Sequence, residues 1–339
     1  MTGWPTGVAT GVGSMPGTLA REAATLVFGE LSELPYLVEL PERGPGADLV
    51  GRGAGLLVDL HVDLQPSGWR LVDRAGLDER RAVSWLDEDL DALEEAAQGW
   101  TGPLKVQVAG PWTLAAQVEL PRGDKALADE GAVRDIAGSL AAAVAGHVQD
   151  VQRRLPGALV LVQLDEPSLP AVLTGTVRRA SGWGRLEPVE AHVVEEALAS
   201  VVQAAGVPVG VHCCAADLPV GLVRRGGASM VSFDAALLTD RDEDPLGEAI
   251  EELLGVAMST AGRDNHAQAI RLAAAANAQK EVLGTHGSSL FWTELQERHI
   301  IGARAHLSPK EVEQAERAGG EVPFDVVLDE VLGPEPPAA

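Results

Sequence analysis

The sequence predicts an α/β fold, a (β/α)8 TIM barrel built as a single domain. Eight short apolar runs alternate with stretches of helical periodicity over about 290 residues, which is the pattern of repeated βα units. Polar side chains follow the ends of most of these runs, where a barrel places its functional groups. A doubly wound open sheet is the alternative, but the first turn, residues 11–16, lacks the Gly-x-Gly-x-x-Gly pattern.

Four strands and four helices are expected in the first half of the chain. The run 158–164 is apolar almost throughout, as is typical of a strand buried on both faces of a parallel sheet. The other strands are predicted at residues 8–13, 36–39 and 104–108, and the helices at 19–31, 48–57, 87–98 and 132–155. Residues 60–70 contain Pro66 and Gly68 and are expected to be irregular.

The second half repeats the alternation. Strands are predicted at residues 207–212, 229–233, 253–258 and 281–285, and helices at 188–205, 218–225 and 266–279. We expect residues 1–306 to form the barrel and residues 307–339 to form a charged C-terminal extension whose last residues are disordered. Ser308 followed by Pro309 predicts a helix start within that extension.

Composition restricts the class of protein. The formal net charge of −24 argues against binding to nucleic acid or to an acidic membrane, since both need clustered Lys and Arg. The two cysteines, Cys213 and Cys214, are adjacent and cannot cross-link distant segments. No signal peptide is recognisable, and no apolar run approaches the roughly 18 residues of a membrane span, so a cytoplasmic location is expected.

His212 and Cys214 form a candidate metal site at the end of a predicted strand. Residues two apart on a strand point to the same face, so both side chains can reach one ion while Cys213 faces the other way. Zinc accepts imidazole nitrogen together with thiolate sulfur and would need further ligands from elsewhere in the fold. The alternative is a buried cysteine that packs as a small hydrophobe beside a histidine satisfied by a backbone carbonyl.

Five motifs, in order along about residues 8–290, resemble the C-terminal catalytic barrel of cobalamin-independent methionine synthase, within the methionine synthase and uroporphyrinogen decarboxylase-like group. They are the Gly13-Ser14-Met15-Pro16 loop, Glu39 with Glu42-Arg43 and Asp48-Leu49-Val50, Gly110-Pro111-x-Thr113, Asp165-Glu166-Pro167, and His212-x-Cys214.

The resemblance implies a zinc site and a substrate site. The zinc ligands would be His212, Cys214 and Asp234, with His286 standing where the family has a final cysteine. Glu39 and Asp165 would hold the ammonium group of the substrate, and the loop of Gly13 and Ser14 its carboxylate.

Simpler roles remain open for three of these side chains. Asp165 could cap a helix, Glu39 could be a solvated loop acid, and Ser14 could cap the following helix. No catalytic residue is assigned beyond the metal site.

The implied reaction is zinc-dependent methyl transfer to a thiol such as homocysteine, giving methionine. The family's second barrel has no counterpart within 339 residues, and residues 255–260 lack the family's histidine after the seventh strand. The partners are therefore a small-molecule thiol and a methyl donor, either a folate or a methylated corrinoid protein. Two alternatives remain open. One is a corrinoid methyltransferase-like or decarboxylase-like enzyme of the same barrel group, and the other is a degenerate barrel with a binding role.

Overall fold

The computed structural model describes residues 4–5, 8–237, 266–283, 300–322 and 327. By its internal contacts the chain divides into two compact units, Met1–Leu237 and Leu238–Ala339. Within the described ranges, no helix combines the length and apolar character needed to span a bilayer.

The first unit is an α/β structure. Its strands are β1 (His61–Gln65), β2 (Gly68–Val72), β3 (Pro103–Ala109), β4 (Leu159–Asp165), β5 (Val209–Cys213) and β6 (Met230–Phe233). Its α-helices are α1 (Ala20–Glu30), α2 (Leu49–Leu56), α3 (Leu77–Ala96), α4 (Pro111–Gln117), α5 (Glu130–Arg154), α6 (Leu169–Leu173), α7 (Ala191–Ala205) and α8 (Val220–Arg225).

Strands β3 to β6 form a parallel sheet in chain order. Two extended segments continue this order before β3, because Tyr36 pairs in parallel with Lys105, and Ser14 pairs in parallel with Glu39. The predicted alternation of parallel strands and helices is therefore confirmed for the strands predicted at 104–108, 158–164, 207–212 and 229–233. The segments predicted as strands at 8–13 and 36–39 do not form regular strands, and residues 36–39 pair only through single bridges at Tyr36 and Glu39. Closure into a barrel depends on residues outside the described ranges, so the closed (β/α)8 form stays a prediction.

The two faces of this sheet differ in chemistry. On β3 and β4 one face carries aliphatic side chains that pack into the main core, namely Leu104, Val106, Val108, Val160, Val162 and Leu164. The opposite face carries Lys105, Gln107, Gln163 and Asp165, and all four are also buried. The sheet is therefore buried on both faces. Every second residue of β3 and β4 contributes to the polar face, because side chains alternate between the two faces of a strand.

Two predicted segments differ from the structure. Residues 60–70, expected to be irregular, form most of the antiparallel β1–β2 hairpin, which turns at Pro66 and Ser67. Val62 and Trp69 are buried, so the hairpin is held by tertiary packing that local Pro and Gly signals do not reveal.

The strand predicted at residues 281–285 is wrong over residues 281–283. These residues end the helix His266–Leu283, because the Ala-rich stretch before them continues into good helix formers. The strand predicted at 253–258 and the candidate ligand His286 lie outside the described residues.

The second unit has a small core of its own. Helix His266–Leu283 contributes buried Ala269, Ile270 and Ala273, and helix Pro309–Gly320 contributes Ala315. Ser308 caps the latter helix in a capping box with Glu311, as the sequence predicts.

Candidate functional site

The candidate site is the buried polar face of β3 and β4 in the first unit, which extends to Asp165 at the carboxyl end of β4. Lys105 and Gln107 lie two residues apart on β3, Gln163 and Asp165 lie two residues apart on β4, and Glu39 comes from the neighbouring extended segment. Each is at most 6% exposed. Parallel pairing aligns Gln107 with Gln163, which brings side chains that are distant in sequence onto one surface.

Lys105 lies at the centre of this polar face. Its Nζ donates to Gln163 Oε1 at 2.8 Å, to the Val12 carbonyl at 3.3 Å and to Gln107 Oε1 at 3.5 Å. The aromatic ring of Tyr36 lies 5.3 Å from the same nitrogen. The ammonium group therefore has an oxygen acceptor for each of its three N–H donors.

The two glutamines connect this cation to two acids. Gln163 Nε2 donates to Asp165 Oδ1 at 2.7 Å and to the Val12 carbonyl at 2.9 Å. Gln107 Nε2 donates to Glu39 Oε1 at 3.2 Å and to the Leu37 carbonyl. Both candidate substrate acids are thus buried and hydrogen-bonded, so Glu39 is not a solvated loop acid and Asp165 does not cap a helix.

Burial shifts the ionisation of all three charged groups. Burial, with the nearby Glu39 carboxylate, raises the pKa of Asp165 to about 8. Burial also raises the pKa of Glu39, against the opposing effect of the Arg52 guanidinium, and lowers the pKa of Lys105 to about 8. A cationic group brought into this site would favour the ionised carboxylates, so the site suits a ligand that carries an ammonium.

Glu39 is supported from the helix side by a buried ion-pair network. Arg52 Nε lies 3.6 Å from Glu39 Oε1, and Arg52 also donates to the fully buried carboxylate of Asp89. Arg43 donates to the same carboxylate. The motif formed by Glu39 with Glu42-Arg43 therefore contributes Glu39 to the site and Arg43 to its support.

The loop of Gly13 and Ser14 lies beside Glu39. The Glu39 N–H donates to the Gly13 carbonyl at 3.0 Å, and the Met15 N–H donates to the Glu39 carbonyl at 2.8 Å. Ser14 is exposed, and it does not cap the following helix, whose N-cap residue is Leu19. Gly13 has φ +138°, and a Cβ there would lie 2.8 Å from the Gln107 side chain. The loop therefore requires glycine at this close approach.

Glu166, in the Asp165-Glu166-Pro167 motif, has a structural role that its position in the sequence does not indicate. Its carboxylate accepts the N–H of Trp112 at 2.9 Å, the N–H of Thr113 at 2.7 Å and the Thr113 hydroxyl at 2.7 Å. These bonds hold the N-terminus of α4 against the end of β4 and join two of the sequence motifs. Burial raises the pKa of Glu166 to about 7.

The candidate metal ligands lie at the ends of β5 and β6. His212 is half-buried, and its Nδ1 shares a 2.9 Å hydrogen bond with Ser232 Oγ. That bond orients the ring and leaves Nε2 available, as in histidines that bind zinc. Burial lowers the pKa of His212, which favours the neutral imidazole that coordinates a metal.

The two adjacent cysteines differ in environment. Cys214 is exposed just after β5, whereas Cys213 is fully buried and its Sγ lies 3.8 Å from the Ala215 carbonyl. Burial raises the pKa of the Cys213 thiol to about 11, so Cys213 is the inert member of the pair.

Asp234 follows β6 and is exposed, with Oδ1 accepting the Ala236 N–H at 2.9 Å. The donor types of His212, Cys214 and Asp234 fit zinc. Across the ranges that the structure describes, however, no three His, Cys, Asp or Glu side chains gather closely enough to hold an ion.

Comparison with known proteins identifies the larger part of the chain. A family model described as "Cobalamin-independent synthase, Catalytic domain" matches residues 4–257. No curated protein matches at a significant level. The matched segment includes every described element of the first unit and the whole buried polar face.

Proposed function

The chain belongs to the cobalamin-independent synthase catalytic-domain family, and from this premise we propose that it is an enzyme that transfers a methyl group to the thiol of homocysteine. The observation that carries the proposal is the pair of buried carboxylates, Glu39 and Asp165, held by glutamine amides on one polar face. An α-amino acid presents an ammonium that such a pair can bind.

Substrate binding would use three parts of the site. Glu39 and Asp165 would accept hydrogen bonds from the substrate ammonium, and its positive charge would stabilise their ionised forms. The Gly13–Ser14 loop, next to Glu39 by strand pairing, would bind the substrate carboxylate. Glu166 would act indirectly, by fixing the first turn of α4 beside Asp165.

Zinc is the proposed cofactor. His212, Cys214 and Asp234 would bind it, with His286 as a fourth ligand. The orientation of His212 by Ser232 supports this assignment, and the first three side chains would have to move closer together than the structure places them. Zinc supplies deprotonation of a bound thiol, which makes the sulfur nucleophilic at neutral pH. The protein's own contribution is to hold the amino-acid end of the substrate away from water.

The proposal also covers the rest of the chain. Residues 1–306 would form a closed (β/α)8 barrel and residues 307–339 a C-terminal extension. The location would be cytoplasmic, and the methyl donor would be a folate or a methylated corrinoid protein. The acidic surface, with a formal net charge of −24, favours the corrinoid protein over a polyanionic folate.

Metal analysis of the purified protein tests the zinc site. We expect about one zinc per chain, and loss of that zinc in Cys214→Ser, because the exposed thiol supplies a ligand. Cys213→Ala is the matched control and should keep the metal, since Cys213 faces the core. A wild-type protein without zinc, or equal loss in both variants, would contradict the assignment.

Activity assays test the reaction. Zinc-loaded protein is given homocysteine with methyltetrahydrofolate, or with a methylcobalamin-loaded corrinoid protein, and methionine is measured. Methionine formed with either donor supports the proposal and identifies the donor. Zinc binding without methionine formation from either donor would instead favour a decarboxylase-like member of the group or a binding role.

A further inference from the structure

We propose that Lys105 is a positioning residue that acts through Gln107 and Gln163 to hold the carboxylates of Glu39 and Asp165 as one receptor for an ammonium group. Each of the two glutamines joins this single cation to a different acid, Gln107 to Glu39 and Gln163 to Asp165. The identity of the ammonium-bearing ligand rests on the proposed function, but the arrangement itself does not.

The direction of each glutamine amide is fixed by its partners. Both N–H groups of Gln163 are used, by the Val12 carbonyl and by Asp165, and both N–H groups of Gln107 are used, by the Leu37 carbonyl and by Glu39. Carbonyl and carboxylate oxygens accept hydrogen bonds and cannot donate them. The amide oxygens must therefore face Lys105, which donates to both.

Lys105 is itself fully committed. Its three N–H donors face Gln163, Gln107 and the Val12 carbonyl, and its side chain has no exposed surface. A lysine that acts as a nucleophile or binds substrate directly needs a free amine. Lys105 therefore serves the site through the glutamines rather than by contact with substrate.

The charge balance explains why a buried cation is needed. Two buried carboxylates near one another disfavour the ionised state. Arg52 compensates Glu39 from the helix side at 3.6 Å, whereas Lys105 acts on both Glu39 and Asp165, so removing Lys105 weakens the compensation of both acids. A ligand ammonium beside Glu39 and Asp165 adds a further positive charge that favours their ionised forms. The site therefore favours amino acids over analogues that lack the amine.

Calorimetric binding measurements test the proposal. The ligands are L-methionine, which is the product of the proposed reaction, L-homocysteine, and 4-(methylsulfanyl)butanoate, which lacks the amine. We expect Lys105→Met to weaken binding of both amino acids by about tenfold or more, the effect of losing a charge-supported hydrogen-bond arrangement. Binding of the amine-free analogue should be unchanged.

Lys125→Met is the matched control. Lys125 also pairs with an acid, Glu119, and donates to the Gln117 carbonyl, but it is not on the polar face. Its substitution makes the same change in net charge and should leave amino-acid affinity unaltered. Equal weakening in both lysine variants, or equal weakening for the amine-free analogue, would overturn the proposal.

Gln163→Leu covers the case in which Lys105→Met fails to fold, because it keeps every charge and breaks one connection. It should weaken amino-acid binding in the same direction. If the wild-type protein binds neither amino acid, the proposed function fails. Crystal structures of the ligand-free variants then decide whether Lys105 positions the two carboxylates. Displaced Asp165 and Glu39 carboxylates support the positioning role, and unchanged carboxylates refute it.

Discussion

At the scale of single residues, Glu166 links the end of β4 to the first turn of α4. A helix begins with N–H groups that have no partner within the helix, and Glu166 accepts two of them together with the Thr113 hydroxyl. A carboxylate at this end of a helix is also favoured by the helix dipole. The residue therefore stabilises the loop next to Asp165.

Substituting Glu166→Gln should destabilise the fold by about 1–3 kcal/mol, because one oxygen acceptor becomes an N–H donor that faces other donors. Chemical denaturation monitored by circular dichroism measures this change. Glu187→Gln, which alters an exposed side chain, is the control and should have little effect. Equal stability of the two variants would contradict the capping role.

His147 on α5 predicts a pH dependence of stability. Burial, with a smaller effect of the nearby Arg52 cation, lowers the pKa of His147 from 6.5 to about 4. Between these values the unfolded chain binds a proton at this position and the folded chain does not, so stability is lost as pH falls from about 6.5 to 4.

The measurement compares the free energy of unfolding of the wild type and of His147→Gln at several pH values. The stability of the wild type relative to this variant should fall by up to about 3 kcal/mol between pH 6.5 and 4. His192→Gln, at an exposed position, is the reference substitution. A difference that stays constant with pH would exclude a buried, uncharged His147.

Some of the site residues were accessible to sequence reasoning and others were missed. Glu39 and Asp165 end predicted strands, so the position of each could be anticipated. Lys105, Gln107 and Gln163 were overlooked, although polar residues that alternate with aliphatic ones in a strand are a usable signal of a polar-lined interior. That both glutamines face a single lysine depends on the register between β3 and β4, which no local pattern encodes.

At the scale of elements, the Gly13–Ser14 loop beside Glu39 depends on one glycine. Gly13 has a positive φ, and its missing side chain makes room for Gln107. Gly13→Ala should therefore both strain the backbone and displace Gln107 from Glu39, which weakens amino-acid binding as well as stability.

Gly17→Ala separates the two effects of that change. Gly17 also has a positive φ, +91°, but nothing lies within 4 Å of its missing Cβ. We expect it to lose stability through backbone strain while keeping its affinity for L-methionine, as measured by denaturation and calorimetry. Equal loss of affinity in both variants would indicate that loop strain, and not the contact with Gln107, governs binding.

The elements that were predicted wrongly share a cause. Pro66 and Gly68 indicate a break in regular structure, yet Pro66 lies in the turn and Gly68 begins the second strand of a hairpin that is stabilised by buried Val62 and Trp69. The helix His266–Leu283 includes the first three residues of the short run that was predicted to be a strand. In both segments, packing or helix continuation overrides a local pattern only a few residues long.

At the scale of the whole molecule, the formal net charge of −24 affects stability. Like charges on a compact protein repel one another. At 0.1 M salt, the repulsion between exposed charges more than about 10 Å apart is largely screened. Surface ion pairs contribute little, so their screening should not reverse the effect.

We therefore expect the Tm to rise by a few degrees when NaCl is raised from about 10 mM to about 200 mM, as measured by differential scanning calorimetry. KCl at the same ionic strength should give the same increase, because screening does not depend on the identity of the cation. A Tm that falls with salt would mean that attractive charge pairs, and not net repulsion, dominate.

The sequence by itself determined the βα alternation, the family motifs and the helix start at Ser308, because each depends on residues that are close along the chain. The tertiary structure decided which face of each strand meets helices and which faces the polar interior. It also decided that Lys105 serves both acids and that Glu166 joins β4 to α4. These outcomes depend on strand register and on burial, which arise when segments far apart in the chain pack together.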